Sequence, residues 1–315
     1  MSLPRVAFSK RAIGCIASSG RKVDALILFS HATGLCKELW NPVIDELSLL
    51  LHDAGMSCQA VTFDFTGHGD SWKPGRDAPK SLWVDFCPRN VQEVLKFTRE
   101  GIEHAPVVGV GHSMGAAGLA MAEMNYPGTF NQMILHEPIL FPPMGEKDRN
   151  REGVNMMVAA ARKRRSRWES FDGARNALAG RGMFKTFDER AFDMYIQHAL
   201  RPTDGGVELK CSPHFEADMY DQPPRGSDWA NLKNVDSACS ISVGEWSRHM
   251  SGFENFPTTI DLYKGMNQCL KHGTFRIFPD AGHFAPQEKC KDFAKHVFEQ
   301  LTTAFFHREG KTARL

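Results

Sequence analysis

Apolar runs and helical spacings alternate along the first part of the chain. Asp24-Ala25-Leu26-Ile27-Leu28-Phe29-Ser30 is apolar almost throughout, the pattern of a strand buried on both faces. A helical pattern over residues 40–51 follows, then a second run of the buried-strand kind over 58–64. Residues 91–104 place Val91, Val94, Leu95 and Ile102 on one side of a helix. Pro106-Val107-Val108-Gly109-Val110 predicts a strand, residues 116–122 a helix of small side chains, and Gln132-Met133-Ile134-Leu135-His136 another strand. Near the start, residues 5–8 and 12–17 predict two short edge strands joined by a turn. Strands that alternate with helices imply an α/β fold, with a mostly parallel central sheet and helices on both faces.

That rhythm stops after Pro138 and resumes at Cys239-Ser240-Ile241-Ser242-Val243. A helix over 259–270, a strand over 274–279 and a last helix over 287–306 complete it. Between the two halves, residues 156–162 and 191–200 have helical patterns, with Gly and Pro punctuating the rest. Residues 140–235 are therefore expected to form an inserted helical lid, with 1–139 and 236–306 making the core and 307–315 a flexible tail. Open parallel sheets bind ligands at the strand C-termini, so such an insertion is expected to cover the site.

Composition narrows the class. The chain has 315 residues, 42% of them hydrophobic, and a net charge of +1. That suffices for a large core and gives no electrostatic reason to expect a nucleic-acid partner. No apolar run reaches the roughly 18 residues of a membrane span, so no transmembrane segment is expected. The first residues, Met1-Ser2-Leu3-Pro4-Arg5, lack the apolar stretch of a secretory signal. The 8 cysteines are scattered without a C-x-x-C pair, so they are expected to be reduced, mostly buried thiols, and no zinc site is expected. Neither a metal nor a cofactor is expected. The chain ends Ala313-Arg314-Leu315, a conservative variant of the S-K-L peroxisomal address. It predicts a peroxisomal location and a peroxisomal import receptor as partner.

The chemistry concentrates at Gly111-His112-Ser113-Met114-Gly115. A G-x-S-x-G motif between a strand and a helix is the context of a nucleophile elbow. Ser113 must take a strained backbone there, and small neighbours let strand and helix pack closely. Ser113 is the candidate nucleophile, and the Met114 N–H, which opens the helix, is a candidate oxyanion donor.

With this elbow, the whole chain resembles the α/β-hydrolase family. The resemblance implies roles for three further stretches. His31-Ala32-Thr33-Gly34 is similar to the family's oxyanion turn, with Ala32 in place of the first Gly, and it implies the Thr33 N–H as second donor. Asp64-Phe65-Thr66-Gly67-His68-Gly69-Asp70-Ser71 resembles a D-x-R-G-x-G-x-S loop, with Thr66 in place of Arg, and implies a structural role. Asp280-Ala281-Gly282-His283-Phe284 implies His283 as the general base. An imidazole is needed because a serine hydroxyl is a poor nucleophile until its proton is taken. Two carboxylates remain open as the group that orients His283. Many members place Asp in a G-x-x-D turn after the lid, which here reads Gly244-Glu245-Trp246-Ser247, making Glu245 the alternative acid. Others place the acid after the strand that follows the elbow helix, which implies Glu137.

A serine at the elbow points to acyl transfer to water, since epoxide hydrolases and dehalogenases of this fold use Asp there. The Met and aromatic residues of 140–235, from Phe141 and Met144 to Met194 and Tyr195, suit an apolar acyl substrate. Arg162-Lys163-Arg164-Arg165-Ser166-Arg167 is a basic run that reads as a solvated helix face, with contact to acyl-CoA phosphates or to an anionic membrane surface as the alternatives. Stretches such as His136-Glu137-Pro138-Ile139 and Gly206-Val207-Glu208-Leu209-Lys210-Cys211 are similar to fungal peroxisomal hydrolases, the yeast peroxisomal lipase and the Alternaria hydrolases of host-selective toxin biosynthesis. That resemblance implies hydrolysis of a fatty-acyl or polyketide-like ester or thioester. Two alternatives stay open: a non-catalytic ligand-binding member of the fold, motivated by Ala32 and Ser247, and an acyltransferase.

Overall fold

The structure, a computed structural model, describes residues 6–15, 22–73, 85–140, 142, 151–221, 229–248 and 256–309. The elements run β1 (Phe8–Gly14), β2 (Ala25–Ser30), α1 (Asn41–Asp53), β3 (Ser57–Phe63), α2 (Cys87–Thr98), β4 (Val107–His112), α3 (Met114–Asn125) and β5 (Gln132–His136). After β5 come α4 (Arg151–Lys163), β6 (Arg167–Trp168), α5 (Phe171–Leu178), α6 (Glu189–His198), β7 (Leu200–Thr203), β8 (Gly206–Leu209), α7 (Pro213–Asp221) and α8 (Trp229–Leu232). The chain then returns through β9 (Ala238–Gly244), α9 (Thr259–Gln268), β10 (Gly273–Phe278), α10 (Ala285–Glu288) and α11 (Cys290–Glu309).

Seven strands form one sheet in the order β1-β3-β2-β4-β5-β9-β10. All pair in parallel except β1, which runs antiparallel to β3. The apolar runs explain this. Every residue of β2 is buried, and its side chains alternate between two cores. Leu26 and Leu28 face a cluster built with α2, α3 and α9. Ile27 and Phe29 face a second cluster built with α1 and α11. A fully buried Leu or Ile contributes about 2 kcal/mol by leaving water. Shifting β2 by one residue would exchange the two sets between faces, so its register is tightly specified.

The expected pair of edge strands is instead one strand, β1, continuous from Phe8↔Phe63 to Gly14↔Ser57. The polar stretch Ser9-Lys10-Arg11 is not a turn but the exposed middle of an edge strand. Charged side chains are ordinary there because one strand side faces water.

The segment between β5 and β9 holds helices, as the pattern predicts, but also a three-stranded antiparallel sheet in the order β6-β8-β7. These strands of two to four residues are too short for periodicity to register. The segment's apolar residues cluster with Ala32, Leu35, Cys36 and Leu39. It thus docks on the loop that leaves the C-terminal end of β2. No helix among the described residues is long and apolar enough to cross a membrane.

Candidate active site

Three parallel strands deliver the candidate residues to one end of the sheet. Ser113 follows β4, Glu137 follows β5, and His283 lies in the loop after β10. Among the described residues, three non-glycines have positive φ: Ser113 at 54°, Glu137 at 44° and Asp280 at 52°. Each such residue costs on the order of 1–3 kcal/mol, sustained only where the surroundings dictate it. The surroundings of Ser113 are explicit. Its N–H donates to the His136 carbonyl at 2.9 Å, and its carbonyl accepts from Ala117 N–H at 3.0 Å and Ile139 N–H at 3.3 Å. Gly115 lets α3 begin against the turn after β2: a Cβ there would lie 2.4 Å from the Ser30 carbonyl oxygen and 2.6 Å from that of His31. The start of α3 and residues 30–31 are therefore neighbours. As the first helical amide, Met114 N–H has no intrahelical acceptor.

His283 Nδ1–H donates to Glu137 Oε2 at 2.6 Å, across 146 residues of chain. The other carboxylate oxygen accepts from Gly244 N–H at 2.9 Å and from the Ser247 hydroxyl in a short bond. Burial by itself raises a carboxyl pKa. Here the charge and hydrogen bond of His283, the nearby His136 and the Ser247 hydroxyl more than offset it, and Glu137 is held down at about 2. It is thus an anion that accepts from the Nδ1 side, which leaves the lone pair on His283 Nε2. The His283 side chain is 32% exposed while Glu137 is 3% exposed, so the ring is open to a ligand and its partner is not. The ring of His112, the residue before Ser113, lies 4.9 Å from the His283 ring, which sets the histidine beside the elbow. Gly244 permits this arrangement, since a Cβ on it would lie 2.2 Å from the Gly282 carbonyl oxygen.

Glu245, the alternative acid, is exposed and accepts Asp280 N–H at 3.0 Å. Its carboxylate shapes the loop that carries His283. Ser247 stands where an Asp is usual in this turn and donates to Glu137. By the family pattern alone, the residue is a missing acid. A hydroxyl at that position is also the donor a carboxylate arriving from the neighbouring strand requires, and that signal was available.

Thr33 lies in the turn after β2, half-buried. Four residues further on, buried Lys37 reaches Asp64 at 2.9 Å, Asp70 at 2.5 Å and Glu38 at 2.7 Å. Burial opposes its charge, and the three carboxylates outweigh that, so its pKa lies above the ordinary lysine value. The 64–71 loop is in this way fastened to residues 37–38. The resemblance implies a structural role for the loop, but the ion cluster joins residues too far apart in the chain for a local motif to show it.

The aromatic and thioether residues after β5 mostly form that segment's own core. Trp168, Phe184, Phe192 and Tyr195 are buried together, while Met156 and Met157 are exposed. Phe141 and Met144 lie outside the described residues. One aromatic path does lead to the site: Phe184 to Phe187 at 5.3 Å, Phe187 to Phe284 at 5.5 Å, and Phe284 to His283 at 5.1 Å between ring centres. The basic run is largely consumed internally. Arg162 pairs with Asp218 at 3.7 Å, Arg164 with Glu216 at 2.7 Å and Arg167 with Glu208 at 2.8 Å. Arg165 lies over Trp168, 5.6 Å from its ring centre. The C-terminal tripeptide Ala313-Arg314-Leu315 also lies outside the described residues.

A parallel sheet with a strained serine between strand and helix, and a histidine–carboxylate pair at the same end, defines a hydrolase of the α/β class. The chain belongs to the Alpha/beta hydrolase family, whose profile matches residues 27–296. It is 32% identical over 224 residues to the abhydrolase domain-containing protein ACTT2-1 of Alternaria alternata, covering 62% of this chain and 83% of that protein. To the type I acyl-CoA thioesterase mpaH of Penicillium roqueforti it is 28% identical over 185 residues, or 56% of this chain and 40% of the thioesterase. Among solved structures, the peroxisomal α/β-hydrolase Lpx1 of Saccharomyces cerevisiae superposes with a TM-score of 0.72 at 16% identity, covering 96% of this chain and 91% of that one.

Proposed function

We propose that the protein hydrolyses an ester or thioester of an apolar acyl group through an acyl-enzyme, with Ser113 as nucleophile, His283 as base and Glu137 as orienting acid. The observation that carries this reading is the 2.6 Å bond from His283 Nδ1–H to Glu137. It fixes the tautomer in which Nε2 can take the serine proton. In the first half-reaction Ser113 Oγ attacks the acyl carbon and its proton passes to His283 Nε2. The C–O or C–S bond to the leaving group then breaks as the imidazolium returns that proton to it. Water repeats the sequence on the acyl-enzyme and releases the carboxylic acid. The Met114 and Thr33 N–H groups would face the developing oxyanion, each such donor contributing about 3–4 kcal/mol.

Esters and thioesters are both in scope because the relatives include an acyl-CoA thioesterase. A fatty-acyl or polyketide-like chain is favoured by the apolar approach to His283 through Phe284 and Phe187 and by the resemblance to Alternaria proteins. Residues 140–235 are proposed as the lid over the site, on their packing against the turn after β2. A peroxisomal location belongs to the same proposal, from Ala313-Arg314-Leu315 and the likeness to Lpx1.

A fluorophosphonate probe should label the folded protein, and Ser113→Ala should abolish the label. Hydrolysis of a graded series of acyl esters and acyl-CoA thioesters should depend on the same hydroxyl. No labelling and no turnover in the folded protein would refute the reading. A fluorescently tagged protein should be punctate, and diffuse once Leu315 is deleted.

A further inference from the structure

The peptide plane that carries Thr33 N–H is held from its other end. The Ala32 carbonyl accepts from His31 Nδ1–H at 2.8 Å and from Leu35 N–H at 3.2 Å. A trans peptide is planar, with its N–H and C=O pointing in opposite directions. Fastening the Ala32 oxygen toward the buried His31 therefore turns Thr33 N–H the other way. The next plane is held as well: Gly34 N–H donates to His68 Nε2 at 3.0 Å. These two planes flank Thr33, so fixing both fixes its backbone dihedrals.

The two rings are matched to this task. His31 Nε2 accepts Phe65 N–H at 3.2 Å, and His68 Nδ1–H donates to the Thr66 carbonyl at 3.4 Å. Each ring thus donates through Nδ1 and accepts through Nε2, which is the neutral Nδ1–H tautomer. Both are fully buried, at 1% and 0% exposure, with ring centres 5.1 Å apart. Burial disfavours the imidazolium and holds His31 at about 4, and His68 well below its ordinary value. The loop behind them is anchored, with Thr66 N–H donating to Asn90 Oδ1 at 2.9 Å. Glu216 closes the far side, since a Cβ on Gly34 would lie 3.0 Å from its Oε1.

We propose that His31 and His68 are positioning residues, which clamp the peptide planes on both sides of Thr33 and aim its N–H at the oxyanion. This rests on the hydrolase reading given above. The two oxyanion donors are then set by separate devices: Met114 by the strain of the elbow, and Thr33 by a pair of neutral imidazoles from two different loops. His68 itself touches no substrate.

The test removes the acceptor at the Nε2 position together with the Nδ1–H donor to the Thr66 carbonyl. His68→Leu keeps side-chain bulk without an acceptor, and His68→Gln restores an oxygen near the same place. On an ester that the unaltered protein hydrolyses, His68→Leu should lower kcat by about 10- to 100-fold, part of the loss seen when an oxyanion donor is deleted. KM should stay within about twofold, and His68→Gln should recover most of the rate. Affinity for an alkylboronic acid, which forms a tetrahedral adduct on the serine, should fall by the same factor as kcat. An unchanged kcat in a folded His68→Leu protein, or equal loss in kcat and KM without rescue by Gln, overturns the clamp. Should the Leu variant fail to fold, histidine ¹⁵N NMR on the unaltered protein decides. Both rings must be Nδ1–H tautomers at pH 7, and an Nε2–H tautomer or an imidazolium at either position refutes the proposal. If the unaltered protein neither turns over esters nor binds fluorophosphonate, the hydrolase reading fails, while the NMR result still stands or falls alone.

Discussion

Glu137 combines features that rarely meet in one residue: a left-handed backbone at φ 44°, near-complete burial, and a charge. An unpaired buried carboxylate would be protonated, so the three donors around it decide its state. Glu137→Gln should keep the shape but lose the anion. It should lower kcat by about 10²- to 10⁴-fold, as expected when the histidine loses its correct tautomer and its counter-charge, measured with a short-chain ester. The sign of the pH effect follows from the direction of the shift. A carboxyl held at about 2 in the fold and at its ordinary value of 4.5 when free contributes stability that is complete above about pH 4.5. That contribution is lost as pH falls toward 2. Urea midpoints measured between pH 5 and 2 should therefore fall more steeply for the unaltered protein than for Glu137→Gln. Equal slopes would mean that the carboxylate is not held down. Ser247→Ala deletes one donor and should cost about 1 kcal/mol of stability, with a smaller loss of kcat than Glu137→Gln. The elbow that carries Ser113, the proposed nucleophile, was legible in the sequence because a local motif requires it. Which of Glu137 and Glu245 meets His283 was not, because β5, β9 and β10 are neighbours only in the folded sheet.

At the level of elements, apolar runs long enough to fill a strand or a face were readable. β2, β5, β9 and the helices over 41–53 and 259–268 all fall close to where hydrophobic spacing predicts them. What was not readable has a physical cause in each case. α2 starts at Cys87, ahead of the first predicted position, and ends at Thr98, because Pro88 suits the first helical turn and Gly101 at φ 81° closes the chain beyond it. β6, β7 and β8 are held by one another and by the core they cover, not by their own propensity. The turn after β9 depends on a close approach that no local pattern records. Gly244→Ala should make that dependence visible. A methyl 2.2 Å from a backbone oxygen forces the 280–283 loop away, so His283 should lose its 2.6 Å bond to Glu137. Activity should fall by at least about 10-fold, and the transition temperature should drop by a few degrees, as for a loss of about 1–2 kcal/mol. Gly55→Ala makes a useful comparison. Its φ of 68° strains alanine too, but no atom lies within 4 Å of the added carbon, so it should lower stability without a selective loss of activity.

Across the whole molecule, the segment between β5 and β9 and the core share one contact that joins stability to chemistry. Arg164 is the member of the basic run that turns inward. It donates to Glu216 at 2.7 Å and to the Tyr195 hydroxyl in a short bond, while Tyr220 donates to the same carboxylate at 3.2 Å. This network lies against Gly34, where a Cβ would be 3.4 Å from the Arg164 guanidinium and 3.0 Å from Glu216. Ion pairs at an exposed site contribute little, but removing one partner of a largely buried pair strands the other charge, at a cost of about 3 kcal/mol or more. Arg164→Met should therefore lower the unfolding free energy, read from urea titration, by about that amount. Arg162→Met, at a half-exposed pair 3.7 Å long, should leave it unchanged. Because the stranded Glu216 carboxylate borders the turn that carries Thr33, Arg164→Met should also reduce kcat in protein that is still folded. Arg162→Met should not. If the two variants behave alike, the charge run is an ordinary solvated face and the turn owes nothing to the segment that covers it. If they differ as expected, the segment is more than a cover, because its one inward arginine helps keep the proposed oxyanion turn in place.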